Sequence, residues 1–264
     1  MSSAFVIWQD PETTMWEPVA KLTESQGIYS FAYTQGALNK RFIPFPRMSI
    51  LNKEYVSAEL FPFFQNRLIP ERRPEYYTML SWLDMMPGVN DPLEILSASG
   101  GSKKTDNFRI IKVPQKTANN EYRLKFFMSG IAYISDTAKR ELLSLESQTV
   151  LTCIIEEGNQ ADSNAISVVN PETGHHLGYY PHYLNEDLIY ANRMLGITGN
   201  KLTTSILVLK VNLSAPEQYR LLCESVTPWP EDFVPFQSEK YKLLAAARSR
   251  LPSNQTSQIK KTNK

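Results

Sequence analysis

The sequence has little glycine, cysteine and histidine, and it has no excess of charge of either sign. Its 264 residues include 11 glycines, 2 cysteines and 3 histidines, with 28 basic against 27 acidic side chains. Two cysteines cannot form the disulfide framework of a small secreted protein. A formal charge of +1 excludes a histone-like protein that is basic throughout, although a local basic patch is compatible with a neutral average.

Long apolar runs are also missing. None approaches the ~20 residues that cross a bilayer, and the first ten residues lack the basic and apolar regions of a secretory signal. The contents of hydrophobic (42%) and aromatic (11%) residues are too high for a disordered chain. We therefore expect a globular, cytoplasmic protein of one or two domains, without a membrane partner.

Signatures of catalysis and metal binding are absent as well. The sequence has no Walker loop, dinucleotide fingerprint, nucleophile elbow or zinc-protease motif, so we expect no enzyme and no catalytic residues. Cys153 and Cys223 lie within apolar strand patterns, where cysteine behaves as a small hydrophobe. His175 and His176, as neighbours on a strand, would point to opposite faces. The expected result is no metal and no cofactor.

The first half of the chain alternates short strands with proline-rich, aromatic segments. Runs of aromatic and β-branched residues at 5–9, 17–22 and 28–33 predict an antiparallel meander. Two later segments, 74–84 and the one that begins at Asp91, place proline in a first turn and predict short helices.

The second half has a different pattern. It predicts a small twisted sheet or barrel with two helices, 135–145 and 181–195. The predicted strands cover residues 122–130, 150–156, 165–170, 203–212 and 218–226.

The predicted fold class is therefore α+β: an antiparallel meander with short helices, followed by a small β-barrel or sheet with two helices. A polar linker near residue 115 divides a module of residues 1–115 from a domain of residues 120–230. Residues 238–264 predict a basic helix, to residue 251, and a disordered tail.

Three segments of the second half combine one acidic side chain with several aromatic and histidine side chains. They are GIAY (130–133), NQADSNAI (159–166) and GHHLGYYPHY (174–183). Such a set can stack a nucleobase and accept a hydrogen bond from a hydroxyl. The alternative is that Asp162 and Asn164 brace a turn while the tyrosines border a core.

In this order the three segments resemble the HIRAN domain. The resemblance covers about residues 122–214 and implies a compact barrel that binds single-stranded DNA at its 3′ end, with aromatic and acidic pocket residues holding the terminal nucleotide and its hydroxyl. HIRAN domains occur alone in bacteria and fused to Swi/Snf-type helicases. The matching positions are Gly130, Ile131, Tyr133, Asn159, Asp162, Asn164, Ala165, Ile166, Gly174, Leu177, Gly178, Tyr179, Tyr180 and Pro181.

The resemblance also suggests which residues bind DNA. Positions that are often basic or aromatic in the family hold Ala132 and Ala161 here, and we expect Tyr179 and His182 to supply replacements. Apart from the resemblance, we expect the positive charge of Lys201 to add a salt-dependent, sequence-independent contribution to DNA binding. The predicted DNA-binding residues are Tyr133, Asn159, Asp162, Asn164, Tyr179, His182 and Lys201.

Residues 1–115 resemble the N-terminal subdomain of HipA-type kinases. The matching positions are Val19, Leu22, Gly27, Phe31, Tyr33, Phe61, Pro62, Phe63, Phe64, Asn66, Leu68, Pro70 and Glu71. No kinase core follows them in this sequence, so we do not expect the chain to be a kinase by itself. The resemblance implies a module that binds a protein partner.

The leading hypothesis is a non-catalytic nucleic-acid-binding protein of genome maintenance or defence. Its HIRAN-like domain would recognise single-stranded DNA or 3′ ends, and its N-terminal module would bind a helicase, a nuclease or a HipA-like kinase. One alternative is a regulatory or antitoxin-like subunit of a HipA-type kinase without DNA-end recognition. Another is an enzyme of unrecognised type, which a metal or nucleotide in the purified protein would favour.

Overall fold

The computed structural model describes residues 1–88, 91–103, 105–159 and 162–245. These residues form two antiparallel sheets and five α-helices, which confirms the mixed α+β class. None of the helices in these ranges has the length and apolar character needed to cross a bilayer.

The N-terminal sheet has the strand order β4-β3-β2-β1-β5, so that the predicted meander is followed by a fifth strand that returns beside β1. Three short helices accompany it, and each begins on a proline, whose fixed φ suits the first helical position. The elements are β1 (Ser2–Gln9), β2 (Trp16–Ser25), β3 (Ile28–Tyr33), β4 (Tyr55–Ser57), α1 (Pro62–Gln65), α2 (Pro74–Trp82), α3 (Pro92–Ala98) and β5 (Phe108–Lys112).

The second sheet has six strands in the order β6-β11-β10-β7-β8-β9. β6 pairs with β11, although the two strands are far apart in the sequence, and β11 therefore lies between β6 and β10. The sequence pattern did not predict this pairing. The elements are β6 (Glu121–Phe127), α4 (Asp136–Ser144), β7 (Val150–Ile155), β8 (Ile166–Val169), β9 (His176–Tyr179), α5 (His182–Met194), β10 (Lys201–Val211) and β11 (Leu221–Pro228).

This second sheet is not a closed barrel. Its edges meet at one bridge, in which Ser129 N–H donates to the Tyr179 carbonyl at 3.0 Å and Tyr179 N–H donates to the Ser129 carbonyl at 2.8 Å. Gly130 follows with φ 71° and turns the chain into the 3₁₀ helix Ile131–Tyr133. The turn ends the pairing, so the barrel alternative of the sequence prediction gives way to an open sheet.

β1 is buried on both faces. Ala4, Val6 and Trp8 pack in the core of the N-terminal sheet. Phe5 and Ile7, which alternate with them, pack in a core that otherwise consists mostly of side chains from the second sheet and α5. The two sheets therefore share an apolar interface along one strand.

The C-terminal segment differs from its prediction. Residues 238–245 form a 3₁₀ helix, Glu239–Tyr241, and then a short extended stretch instead of a basic α-helix. Leu244 N–H donates to the Tyr33 carbonyl at 2.9 Å, so pairing with the end of β3 replaces helical hydrogen bonds. Residues 246–264, with the rest of the predicted helix and tail, lie outside the described residues.

The aromatic residues of the FPFF segment pack inward. Phe64 is fully buried, and Phe61 and Phe63 lie half-buried against the N-terminal core. Trp82, also half-buried, stacks on Tyr219, from the second half of the chain, with ring centroids 5.6 Å apart. These side chains serve packing and the contact between the two parts of the chain.

Cleavage in the polar linker tests how firmly the two parts adhere. Because Phe5 and Ile7 lie in the shared core, we expect a chain cut between residues 115 and 120 to elute as one particle in size-exclusion chromatography. Separate elution of the two fragments without denaturant would contradict this expectation. The domain boundary itself stays a prediction.

Asp187 is a buried carboxylate that ties the C-terminal segment to the second sheet. It is 8% exposed and accepts hydrogen bonds from Tyr122 Oη at 2.9 Å and from the Phe236 N–H at 2.7 Å. Burial raises its pKa to about 6, against the opposing effect of these two hydrogen bonds. The folded protein therefore binds this proton more tightly than the unfolded chain does.

The consequence is that the contribution of Asp187 to stability decreases as pH rises from about 4 to about 6. Asparagine resembles the neutral acid, so we expect Asp187→Asn to raise the free energy of unfolding by about 1–2 kcal/mol at pH 8 and to leave it unchanged at pH 4. Chemical denaturation at both pH values measures this, with the exposed Glu231→Gln as the control. A variant that is less stable than the wild type at pH 8 would contradict the prediction.

Candidate nucleic-acid interface

A cleft of about 1300 Å³ lies where the two sheets meet, and we call it the junction cleft. Residues of β5 and of the start of β2 line one side of it. Residues of β6, of the 3₁₀ helix Ile131–Tyr133 and of the first turn of α5 line the other. Five of the seven predicted DNA-binding residues line this cleft: Tyr133, Asn159, Asp162, Tyr179 and His182.

Tyr133 presents its ring to solvent. The side chain is 90% exposed, although its neighbour Ile131 is buried in the core and fixes the 3₁₀ helix. Tyr133 N–H donates to the Gly130 carbonyl at 3.0 Å, which closes the turn. A large aromatic side chain held outside the core on an anchored turn can stack a base at little conformational cost.

Two glycines allow the close approach of strands that forms this corner. A Cβ at position 130 would lie 2.8 Å from Tyr179 Cδ2, and one at position 178 would lie 2.7 Å from the Ser129 carbonyl oxygen. Gly178 also has φ 142°, where other residues are strained. The glycines therefore permit the Ser129–Tyr179 bridge and place the Tyr179 ring against the Gly130 backbone.

Asp162 is the centre of a polar cluster. Its Oδ1 accepts the Asn164 N–H at 2.8 Å. Its Oδ2 accepts from Asn185 Nδ2 at 3.0 Å and lies 2.8 Å from His182 Nδ1. Asn159 Oδ1 accepts the Asp162 N–H at 3.0 Å and so braces the loop. Asp162 therefore supports a turn, and Oδ1 keeps one lone pair for a further donor, because a carboxylate oxygen can accept two hydrogen bonds.

Asn185 extends this cluster and was missed in the sequence. It is 2% exposed, lines the junction cleft, and its Oδ1 has no hydrogen-bond partner in the described residues. A buried carbonyl oxygen without a donor is costly unless a ligand or water supplies one. The signal was available, since His182 and Asn185 are three residues apart and share one face of a predicted helix.

Two of the predicted residues lie elsewhere. Lys201 is exposed at the start of β10, opposite Ile154 in the sheet, and does not line the junction cleft. The Asn164 side chain lines a second cavity, of about 430 Å³, while its backbone N–H serves Asp162. Asn164 was assigned from its place in a motif and Lys201 from its charge, and neither basis specifies the cavity or face on which a side chain lies.

The two departures from the family pattern have different outcomes. Lys139 of α4 brings its Nζ to 3.1 Å from the Ala132 carbonyl oxygen, so a cation lies beside the position that is often basic in the family. Ala161 lies outside the described residues. Burial and the Glu156 carboxylate raise the pKa of Tyr179 above its ordinary value, at which a phenol is already neutral at physiological pH.

The described residues contain no cluster of three or more His, Cys, Asp or Glu side chains that could hold a metal ion. Cys153 and Cys223 are fully buried, and burial raises the pKa of Cys153 to about 12. Such a thiol stays protonated and does not act as a nucleophile or ligand at neutral pH.

Comparison with known proteins gives limited similarity. No family model and no curated protein matches the sequence. A crystal structure of a protein from Lactobacillus plantarum is similar at 23% identity and a TM-score of 0.31, over 40% of this chain and 95% of that chain. The HIRAN domain of human HLTF is similar at 16% identity and a TM-score of 0.29, over 42% of this chain and 80% of that chain. At this level the similarity carries no argument by itself, and neither structure supports the HipA resemblance.

Gly178 provides a test of the corner. Alanine there would combine the strained φ with a Cβ 2.7 Å from a backbone oxygen, so we expect Gly178→Ala to lower the free energy of unfolding by roughly 1–3 kcal/mol. Gly199→Ala is the matched control, because nothing lies within 4 Å of its Cβ. Thermal or chemical denaturation measures both variants. Equal stability of the two would show that position 178 does not need glycine.

Proposed function

We propose that the junction cleft binds single-stranded DNA and holds its 3′ end, and that the protein does so without catalysis. The observation that carries the proposal is the 90% exposed Tyr133 ring in the same cleft as the Asp162 cluster. These residues belong to the motifs through which the sequence resembles the HIRAN domain. Cytoplasmic genome maintenance or defence is the corresponding proposed role.

Stacking supplies the part of the binding that does not depend on sequence. Base–aromatic stacking contributes about 1–3 kcal/mol per base and tolerates every base. Tyr133 offers a whole ring for this, whereas Tyr179 is half-buried and packs against His176, with ring centroids 4.5 Å apart. Tyr133 is therefore the platform for the terminal base, and Tyr179 forms the wall beside it.

The Asp162 cluster supplies recognition of the terminal hydroxyl. Asp162 Oδ1 can accept a second hydrogen bond, and Asn185 Oδ1, which has no partner in the described residues, can accept one as well. A free 3′ hydroxyl is a donor, whereas a terminal phosphate presents acceptors and negative charge next to a carboxylate. Cations near the cleft, among them Lys125 and Lys139, would contact the preceding phosphates.

A protein partner is part of the same proposal. β4 is an edge strand of the N-terminal sheet, and Val56 within it is 64% exposed. An exposed edge can pair with a strand of another chain. The proposed partners are a helicase, a nuclease or a HipA-like kinase, and regulation of such a kinase is the competing function.

Oligonucleotides with and without a terminal hydroxyl test the proposal directly. We expect Asp162→Ala to weaken binding of a 3′-hydroxyl strand by about 1.5–3 kcal/mol more than binding of the matched 3′-dideoxy strand, because only the first donates to the carboxylate. Tyr133→Ala should weaken both equally, by about 1–3 kcal/mol, through lost stacking. Fluorescence anisotropy at low salt measures both.

Because both strands are measured on the same variant, any general disorder of the loop that Asp162 braces weakens both bindings alike and does not change their difference. Equal losses on both strands would leave Asp162 with its structural role alone. Absence of measurable single-strand binding by the wild type at low salt would favour the kinase-regulator function.

A further inference from the structure

Trp16 and Arg109 come from the N-terminal sheet but line the junction cleft. Trp16 is half-buried at the start of β2, and Arg109 lies on β5 opposite Ile7. The Arg109 guanidinium carbon is 5.6 Å from the centroid of the Trp16 ring, a cation–π distance. An aromatic ring paired with a guanidinium is a common platform for a nucleobase and its phosphate.

This pair continues directly from the Asp162 cluster. Tyr183 follows His182 on the first turn of α5, and its ring meets the Trp16 ring edge-on at 5.2 Å between centroids. His182 in turn lies 2.8 Å from Asp162. The contacts therefore run without a break from the proposed end-binding residues to the N-terminal sheet.

No carboxylate of the described residues forms an ion pair with Arg109. One of the Arg109 N–H groups donates to the Phe108 carbonyl at 2.8 Å. Asp106, a carboxylate in the same cleft, is bound by Arg67 at 2.6 Å. Arg109 has further N–H donors that can reach an anionic ligand, since a guanidinium carries five.

The size of the cleft also exceeds what one terminal nucleotide needs. Sites for single small ligands occupy about 300–1,000 Å³, whereas this cleft occupies about 1300 Å³. The additional space borders the N-terminal sheet, because residues of β5 and α3 contribute to its lining.

We propose that Trp16 and Arg109 form a second nucleotide subsite, which binds the base and phosphate of a nucleotide upstream of the 3′ end. The N-terminal module is thus part of the DNA-binding surface and sets the direction in which the strand leaves the end-binding residues. This inference rests on the proposed function, because it extends the same cleft.

A length series separates the two subsites. Thymidine 5′-monophosphate and oligothymidylates of up to eight nucleotides, all with a free 3′ hydroxyl, are titrated against the full chain and against Arg109→Gln. We expect the variant to bind the mononucleotide like the wild type and to bind the octanucleotide about 10-fold more weakly. The slope of log affinity against log salt for the octanucleotide should fall by about 0.7, the value for one phosphate contact on a single strand.

Lys40→Gln is the matched control, since it removes one exposed positive charge from the same module outside the cleft. It should leave both affinities unchanged. Trp16→Leu is the second variant, because leucine keeps apolar contact with Tyr183 while it removes the ring, and it should show the same dependence on length.

The outcomes distinguish this inference from the function on which it rests. Binding of all lengths by the wild type, with Arg109→Gln equal to Lys40→Gln on the octanucleotide, would overturn the second subsite and leave end binding intact. No binding of any length by the wild type would overturn both. A 10-fold loss on the mononucleotide as well would place Arg109 at the end-binding residues instead of upstream.

Discussion

Burial of β1 on both faces is the constraint on which the arrangement of the molecule depends. A strand with side chains in two cores joins the two sheets, because exposing either of its faces would return large apolar side chains to water. Phe5 also meets Phe236 and Tyr241 of the C-terminal segment, at 5.6 and 4.9 Å between ring centroids. The two sheets are thereby held at a fixed distance, and the junction cleft is the space left at their border.

The functional side chains of the cleft lie at the open edges of the second sheet. Gly130 ends the pairing after one bridge and places Tyr133 outside the core, while Gly178 lets the opposite edge approach. The loop before β8 and the start of α5 then meet around Asp162. An exposed ring and a cluster of hydrogen-bond acceptors are thus held together by backbone geometry.

Much of this could be predicted from the sequence because the signals are local. Aromatic and β-branched runs located most strands, and Asp91 caps α3 as its position suggests, accepting the Leu93 N–H at 3.0 Å. Five of the seven predicted DNA-binding residues, all from the motif segments, line the cleft. Contacts between distant segments had no such signal: Trp16 and Tyr183 come together only through the shared core. The C-terminal helix was predicted from composition, and pairing with β3 overrides that local preference. Lys201 was chosen for its charge, which says nothing about the face on which it lies.

The central claim is that the 3′ end of a single strand lies at Tyr133 and the Asp162 cluster. The most direct measurement is photo-crosslinking of the full chain to an oligothymidylate whose 3′-terminal base is 4-thiothymine, with the attached peptides identified by mass spectrometry. The account predicts attachment to peptides that contain Tyr133, Tyr179 or His182, and its loss when the thiobase is moved to the 5′ end. Attachment concentrated at the β4 edge, or equal attachment from either end, would contradict it.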